Sequence, residues 1–136
     1  MSNVYTQTNE AMNAIINFMQ GADGRLVEVQ RVPTGGRGTG GFVPLTGEKS
    51  GPDSLISSNA VIVSKDRKWL FAVNAGDNTV SAFAVDGRGM LMLTDTKPTG
   101  NPVMGVSGTA SSLAYNDTDK ALYVSHSIGP DHIRTF

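Results

Sequence analysis

The chain has 136 residues, 17% of them charged, with a formal net charge of −1 at pH 7. That length suits one domain with a real core, and the near-neutral balance offers no electrostatic footprint for nucleic acid or an anionic membrane surface. The absence of cysteine removes disulfides, thiolate nucleophiles and cysteine-based metal sites, and fits a reducing compartment.

The N-terminus has no basic stretch followed by an apolar run, so no signal peptide is expected. No apolar run approaches the roughly 20 residues of a transmembrane helix, and a cytoplasmic location is the expectation. Asn116-Asp117-Thr118 spells a glycosylation sequon, which without a secretion signal reads as chance.

In chain order, residues 4–8 read as a β-strand, the second of a blade whose first strand is absent. The next stretch, TNEAMNAIINFMQ, has helical features: Thr8 or Asn9 as a cap, Glu10 in the first turn, and Met12, Ile15, Ile16 and Met19 on one face. A repeat overrides that reading. A shift of 65 residues places Asn13, Phe18, Gly24, Leu26, Pro33, Thr34 and Gly35 on Asn78, Phe83, Gly89, Leu91, Pro98, Thr99 and Gly100. Residues 14–19 then fall on a β-rich run and are expected as a strand, followed by another over 26–32.

Residues 36–57 form a glycine-rich loop. Gly36-Arg37-Gly38-Thr39-Gly40-Gly41 matches the letters G-x-G-x-x-G, but a dinucleotide site needs a strand before it and a helix after it. Phe42-Val43-Pro44 follows instead, without helical period, so an irregular loop is expected and no nucleotide.

Residues 60–63, 69–73, 79–85 and 90–96 read as four short strands separated by turn residues, an antiparallel meander. A second shift, of 52, places Leu122-Tyr123-Val124 on Leu70-Phe71-Ala72, with His126 in the place of Asn74. Ile133 and Phe136 then lie against Val80 and Phe83. A second loop of the glycine-containing kind is expected around residues 105–109.

The chain thus reads as all-β, in antiparallel four-stranded blades. It is expected to be a single-domain partial β-propeller of about two and a half blades. Residues 1–35 are an incomplete blade 1, 58–100 a complete blade 2 and 101–136 a truncated blade 3.

The run WLFAVNAGDNTVSAFAVDGRGMLML and the PTGG-type ends of two repeats resemble the lactonase-type seven-bladed β-propellers. That group includes cytoplasmic 6-phosphogluconolactonases and carboxymuconate-lactonizing enzymes. The resemblance spans residues 4–136 and is clearest over 59–100. It implies hydrolysis or formation of a lactone of a small sugar acid or carboxylated substrate, without metal or other cofactor. A seven-bladed member is much longer than this chain, so other copies or a companion chain are expected as partners completing the ring, with no nucleic acid and no membrane. The alternative is a non-catalytic propeller scaffold or binding module, or an inactive fragment that needs partner chains.

The meander puts turns 9–13, 75–78 and 127–132 and the long connections at one end, where loops on a rigid scaffold carry function. The pocket candidates gathered there are Arg37, Asn59, Asn74, Asp77, Asn101, His126 and His132, with Asp131 beside them. His126 or His132 could serve as a general base, and Arg37 or Arg134 as the cation for a developing oxyanion. Against this, Asn and Asp at strand ends mostly serve turns, and loop histidines are commonly solvated. The two histidines form no recognised metal spacing. Neither Ser125 nor Ser127 makes a triad with His126, because neighbours on a strand point to opposite faces. The histidine and arginines of the lactonizing members lie in blades outside this chain, so catalytic residues stay unassigned.

Overall fold

The computed structural model describes residues 2–52, 54–55, 57–103 and 108–136. These residues form ten β-strands and no helix. β1 (Asn3–Gln7), β2 (Ala14–Gln20) and β3 (Leu26–Pro33) make a first sheet in the order β1-β2-β3. β4 (Val61–Val63), β5 (Trp69–Asn74), β6 (Thr79–Val85) and β7 (Leu91–Pro98) make a second, β4-β5-β6-β7. β8 (Ala110–Asn116), β9 (Ala121–His126) and β10 (Ile133–Thr135) make a third, β10-β9-β8. Every pairing is antiparallel. The described residues form no closed barrel or ring.

The helical features of residues 8–20 lose to tertiary pairing. β2 is hydrogen-bonded on both sides, to β1 and β3, and buries Ile15 and Asn17 fully. A helix there would forfeit two ladders and that burial, far more than propensity contributes. The last strand of the second sheet ends at Pro98 rather than two residues earlier, and β3 likewise ends in Pro33. Both are edge strands, where a residue without an N–H is tolerated.

The repeat is visible in backbone geometry. At a shift of 65, β2 and β3 coincide end for end with β6 and β7. A bulge falls between Asn17 and Phe18 and again between Ala82 and Phe83. The Thr34 N–H donates to the Asn13 carbonyl at 2.9 Å, and the Thr99 N–H to the Asn78 carbonyl at 2.8 Å. At a shift of 52, β5 coincides with β9.

The second sheet is covered on both faces. Leu70, Ala72 and Phe83 pack with Ile15, Tyr5 and Val32 of the first sheet. On the other face Phe71, Val73 and Val80 pack with Leu113, Leu122 and Val124 of the third. Full burial of a side chain of this size contributes about 1.5–3 kcal/mol, so these two seams hold the sheets together. Polar contacts fix the register of the first seam: the Tyr5 hydroxyl donates to the Gly89 carbonyl at 2.7 Å, and Gln30 exchanges two bonds of 2.8 Å with the Leu91 backbone.

The outward faces of the first and third sheets lack such cover among the described residues. By the repeat Ile133 corresponds to Val80, yet it is 65% exposed where Val80 is 5% exposed. Tyr123, the counterpart of Phe71, and Val4, the counterpart of Leu70, are also exposed.

The glycine-rich connection is irregular, with one isolated bridge between Val43 and Glu48. Its glycines answer to packing. A Cβ on Gly36 would strike the Asn74 side chain, and one on Gly38 would strike the Asn9 backbone. Of the loop expected around 105–109, residues 104–107 lie outside the described residues.

Candidate functional site

Loops at one end of the three sheets are tied in sequence by backbone hydrogen bonds. Gly38 donates to Glu10, Gly76 to Arg37, Gly108 to Ala75 and Ser127 to Thr109. The expected sharing of one end by turns 9–13, 75–78 and 127–132 is therefore met. The candidate residues on that end nevertheless separate into two groups.

The first group lies over the seam between sheets one and two. Asn74 is fully buried and donates to the Thr79 and Ser81 hydroxyls at 2.9 and 2.8 Å, while accepting from Asn13 Nδ2 at 2.9 Å. The Asp77 carboxylate accepts the Arg37 backbone N–H at 3.0 Å and the Thr79 hydroxyl at 2.8 Å. The Arg37 residue itself is exposed. These contacts are turn and seam chemistry, the role Asn and Asp serve at strand ends.

The second group lies where the β7–β8 connection meets the β9–β10 turn. His126 is 5% exposed, so it is a buried side chain rather than a solvated loop histidine. Its Nε2 is 2.7 Å from the Thr99 hydroxyl, and its backbone N–H donates to the His132 carbonyl at 2.9 Å. Its Nδ1 is buried with no hydrogen-bond partner among the described residues. Asn101 donates to the Asp131 carbonyl at 2.7 Å and accepts the Asp131 N–H at 3.3 Å. Asp131 pairs with Arg134, whose guanidinium lies 3.2 Å from the position a Cβ on Gly100 would take. Burial, and then the charge of Arg134, hold the His126 pKa below the ordinary imidazole value of 6.5, against the opposing pull of Asp131. Both effects favour the neutral imidazole.

The remaining candidates make no side-chain hydrogen bond to either group among the described residues. Asn59 is exposed, and its carbonyl accepts the Leu113 N–H at 2.9 Å. His132 is exposed, with its ring beside Gly129. A cavity at this end has a volume of about 30 Å³ and is lined by Leu55, Ala75, Thr109 and Ile128, among others, and by none of the seven candidates. That volume suits a water molecule rather than a sugar acid.

The residue that organises this end is Asn78, which the repeat pairs with Asn13. It is 1% exposed. Its Nδ2 donates to the carbonyls of Asn101 and Pro102 at 3.3 and 3.0 Å, and its Oδ1 accepts the N–H groups of Thr109 and Ala110 at 2.7 and 2.9 Å. One side chain therefore grips both sides of the connection into the third sheet. Asn78 adopts φ 54°, a left-handed conformation that Asn tolerates better than most residues. Its recurrence as Asn13 was the available signal.

No group of three His, Cys, Asp or Glu side chains able to hold a metal ion occurs among the described residues. No family model matches the chain, and no curated protein matches it. A solved structure, described as a functionally unknown protein from Desulfotomaculum acetoxidans DSM 771, is similar at 19% sequence identity and a TM-score of 0.44. The match covers 93% of this chain and 48% of that one, so the chain spans about half the length of the protein it matches.

Proposed function

We propose that this chain is a lactonase-type partial β-propeller of about two and a half blades that acts as an interaction scaffold. The carrying observation is that His126, a candidate general base, occupies the repeat position of Asn74 and, like it, is buried against the seam with the preceding sheet. Its hydroxyl partner Thr99 is buried as well, so the pair serves packing between the second and third sheets in this reading. The blade reading is supported by the sequence repeat and by four-stranded order in the second sheet.

Other copies of the chain, or a companion chain, are the partners this reading expects. Val4 on one outward face and Tyr123 and Ile133 on the other are counterparts of residues that pack against a neighbouring sheet inside the chain. Such open apolar faces favour association.

Lactone hydrolysis or formation is the second reading. The Nδ1 of His126, unpartnered among the described residues, with the Arg134 charge nearby, has the composition of a general base with an oxyanion cation. Hydrolysis of gluconolactone by the wild-type chain and by His126→Asn separates the two. The scaffold reading expects no rate above the uncatalysed background from either protein. Turnover by the wild type that is lost in His126→Asn would establish the enzyme reading instead.

A further inference from the structure

The third sheet carries two basic side chains where the second carries a hydrogen-bonded neutral pair. By the repeat, His126 takes the position of Asn74 and Arg134 that of Ser81. Val80 and Ser81 pair with Val73 and Ala72, as Ile133 and Arg134 pair with Ser125 and Val124. In the second sheet Asn74 Nδ2 donates to the Ser81 hydroxyl at 2.8 Å, and that hydroxyl donates to the Thr34 carbonyl at 2.7 Å. Directly opposed residues of an antiparallel pair share a face, as do residues two apart on one strand. His126, Val124 and Arg134 therefore all face the second sheet, and Val124 is fully buried there.

A proton on His126 has no outlet inside the fold. The imidazole is buried, its Nε2 meets the Thr99 hydroxyl, and its Nδ1 has no hydrogen-bond partner among the described residues. An imidazolium donates from both nitrogens, so protonation leaves a buried donor unpaired and puts a second positive charge near Arg134. The charged and titratable groups that act on the ring are Arg134 on β10 and Asp131 and His132 in the β9–β10 turn. Asp131 already pairs with Arg134. On the other side Thr99, Gly100 and Asn101 carry no charge. Asp77 of the β5–β6 turn bonds towards the first seam, at Arg37 and Thr79, and Lys97 of β7 pairs with Asp95.

We propose that His126 is an acid-sensitive latch on the clasp that joins the β9–β10 turn to the connection entering the third sheet. That clasp consists of the Ser127 N–H on the Thr109 carbonyl at 2.9 Å, the Thr109 hydroxyl on the Ile128 carbonyl at 3.1 Å, and the two bonds between Asn101 and Asp131. Proton uptake favours the state in which the clasp parts and the imidazolium reaches water. The first seam is built on Asn74, which does not titrate, and stays closed over the same range. Because the His126 pKa is lowered in the closed state, opening gains as pH falls below about 6.5, by up to about thirtyfold at pH 5.0. The latch adds regulation to the scaffold reading and rests on it only for the partner that opening would engage or release, and its test is independent of lactone turnover.

The test is amide exchange on the whole chain, read by NMR at pH 7.5 and 5.0 and corrected for the intrinsic exchange rate. Protection of the His126 and Ser127 amides should fall at least about tenfold at pH 5.0, while the Gly38 and Gly76 amides, bonded to Glu10 and Arg37 at the first seam, keep theirs. His126→Asn supplies the residue type of Asn74 and should hold the Ser127 protection constant. Arg134→Ser supplies that of Ser81, and should raise the titration midpoint of the His126 ring and shrink the fall in protection. Constant protection in the wild type, an equal fall in His126→Asn, or an equal fall at both seams overturns the latch. If the asparagine variant does not fold, Arg134→Ser decides: a His126 midpoint that stays in place overturns the proposal.

Discussion

Asn74 and His126 stand 52 residues apart at the same place in consecutive sheets, and each packs its side chain against the connection leaving the sheet before its own. Asn74 abuts Gly36 and accepts from Asn13, while His126 meets Thr99. Asparagine and histidine do the same positional work there, but only histidine titrates.

That difference predicts a pH effect. The His126 pKa is lowered in the folded chain, so the unfolded state binds its proton more readily. Stability is therefore fully present above about pH 6.5 and falls as pH drops through the folded-state pKa. Chemical denaturation between pH 7.5 and 4.5 should show this loss in the wild type, and a shallower dependence in His126→Asn. Identical profiles would mean that His126 is not desolvated as described.

Asn78→Ala should be among the most costly substitutions at this end. It orphans the carbonyls of Asn101 and Pro102 and the N–H groups of Thr109 and Ala110, at about 1–3 kcal/mol for each buried group that water cannot reach. A loss of about 3 kcal/mol in denaturant unfolding is expected. Asn78→Asp keeps the acceptor but turns a buried carboxylate oxygen towards the carbonyls of Asn101 and Pro102, and should cost at least as much as alanine.

Repeat-equivalent phenylalanines should respond unequally. Phe83 is fully buried between the first and second sheets, and Phe83→Ala should cost about 3–5 kcal/mol. Phe18 lies on the outward face of the first sheet and is half-buried, so Phe18→Ala should cost about 1 kcal/mol. Comparable losses would mean that the outward face is covered in solution.

Two equivalent glycines separate backbone strain from packing. Gly24 and Gly89 have φ values of 81° and 78°. A Cβ on Gly24 meets nothing within 4 Å, whereas one on Gly89 collides with the Asn3 side chain beside the carbonyl that Tyr5 and Asn17 grip. Gly24→Ala should cost about 1 kcal/mol from the left-handed conformation alone, and Gly89→Ala clearly more, measured as the shift in denaturation midpoint.

Concentration-dependent light scattering addresses the outward faces. An average mass above that of one chain, reduced towards the monomer by Ile133→Lys or Tyr123→Lys, is the expected result. Insensitivity to both would place association elsewhere.

The information legible in the sequence is local and periodic. Turn residues and β-rich runs delimit nearly every strand, and the shifts of 65 and 52 set which strands correspond. Even the helical pattern of residues 8–20 was resolved by its repeat partner, because a repeated unit must bury the same faces. Tertiary structure alone decided what each polar residue does. Asn74, Asn78 and Asn101 share a residue type, and only packing shows that Asn78 bridges a connection while Asn101 holds the β9–β10 turn. The burial of His126 depends on Thr99, brought beside it across the seam between the second and third sheets. Burial and partnership come from segments distant in sequence, and no local spacing encodes them.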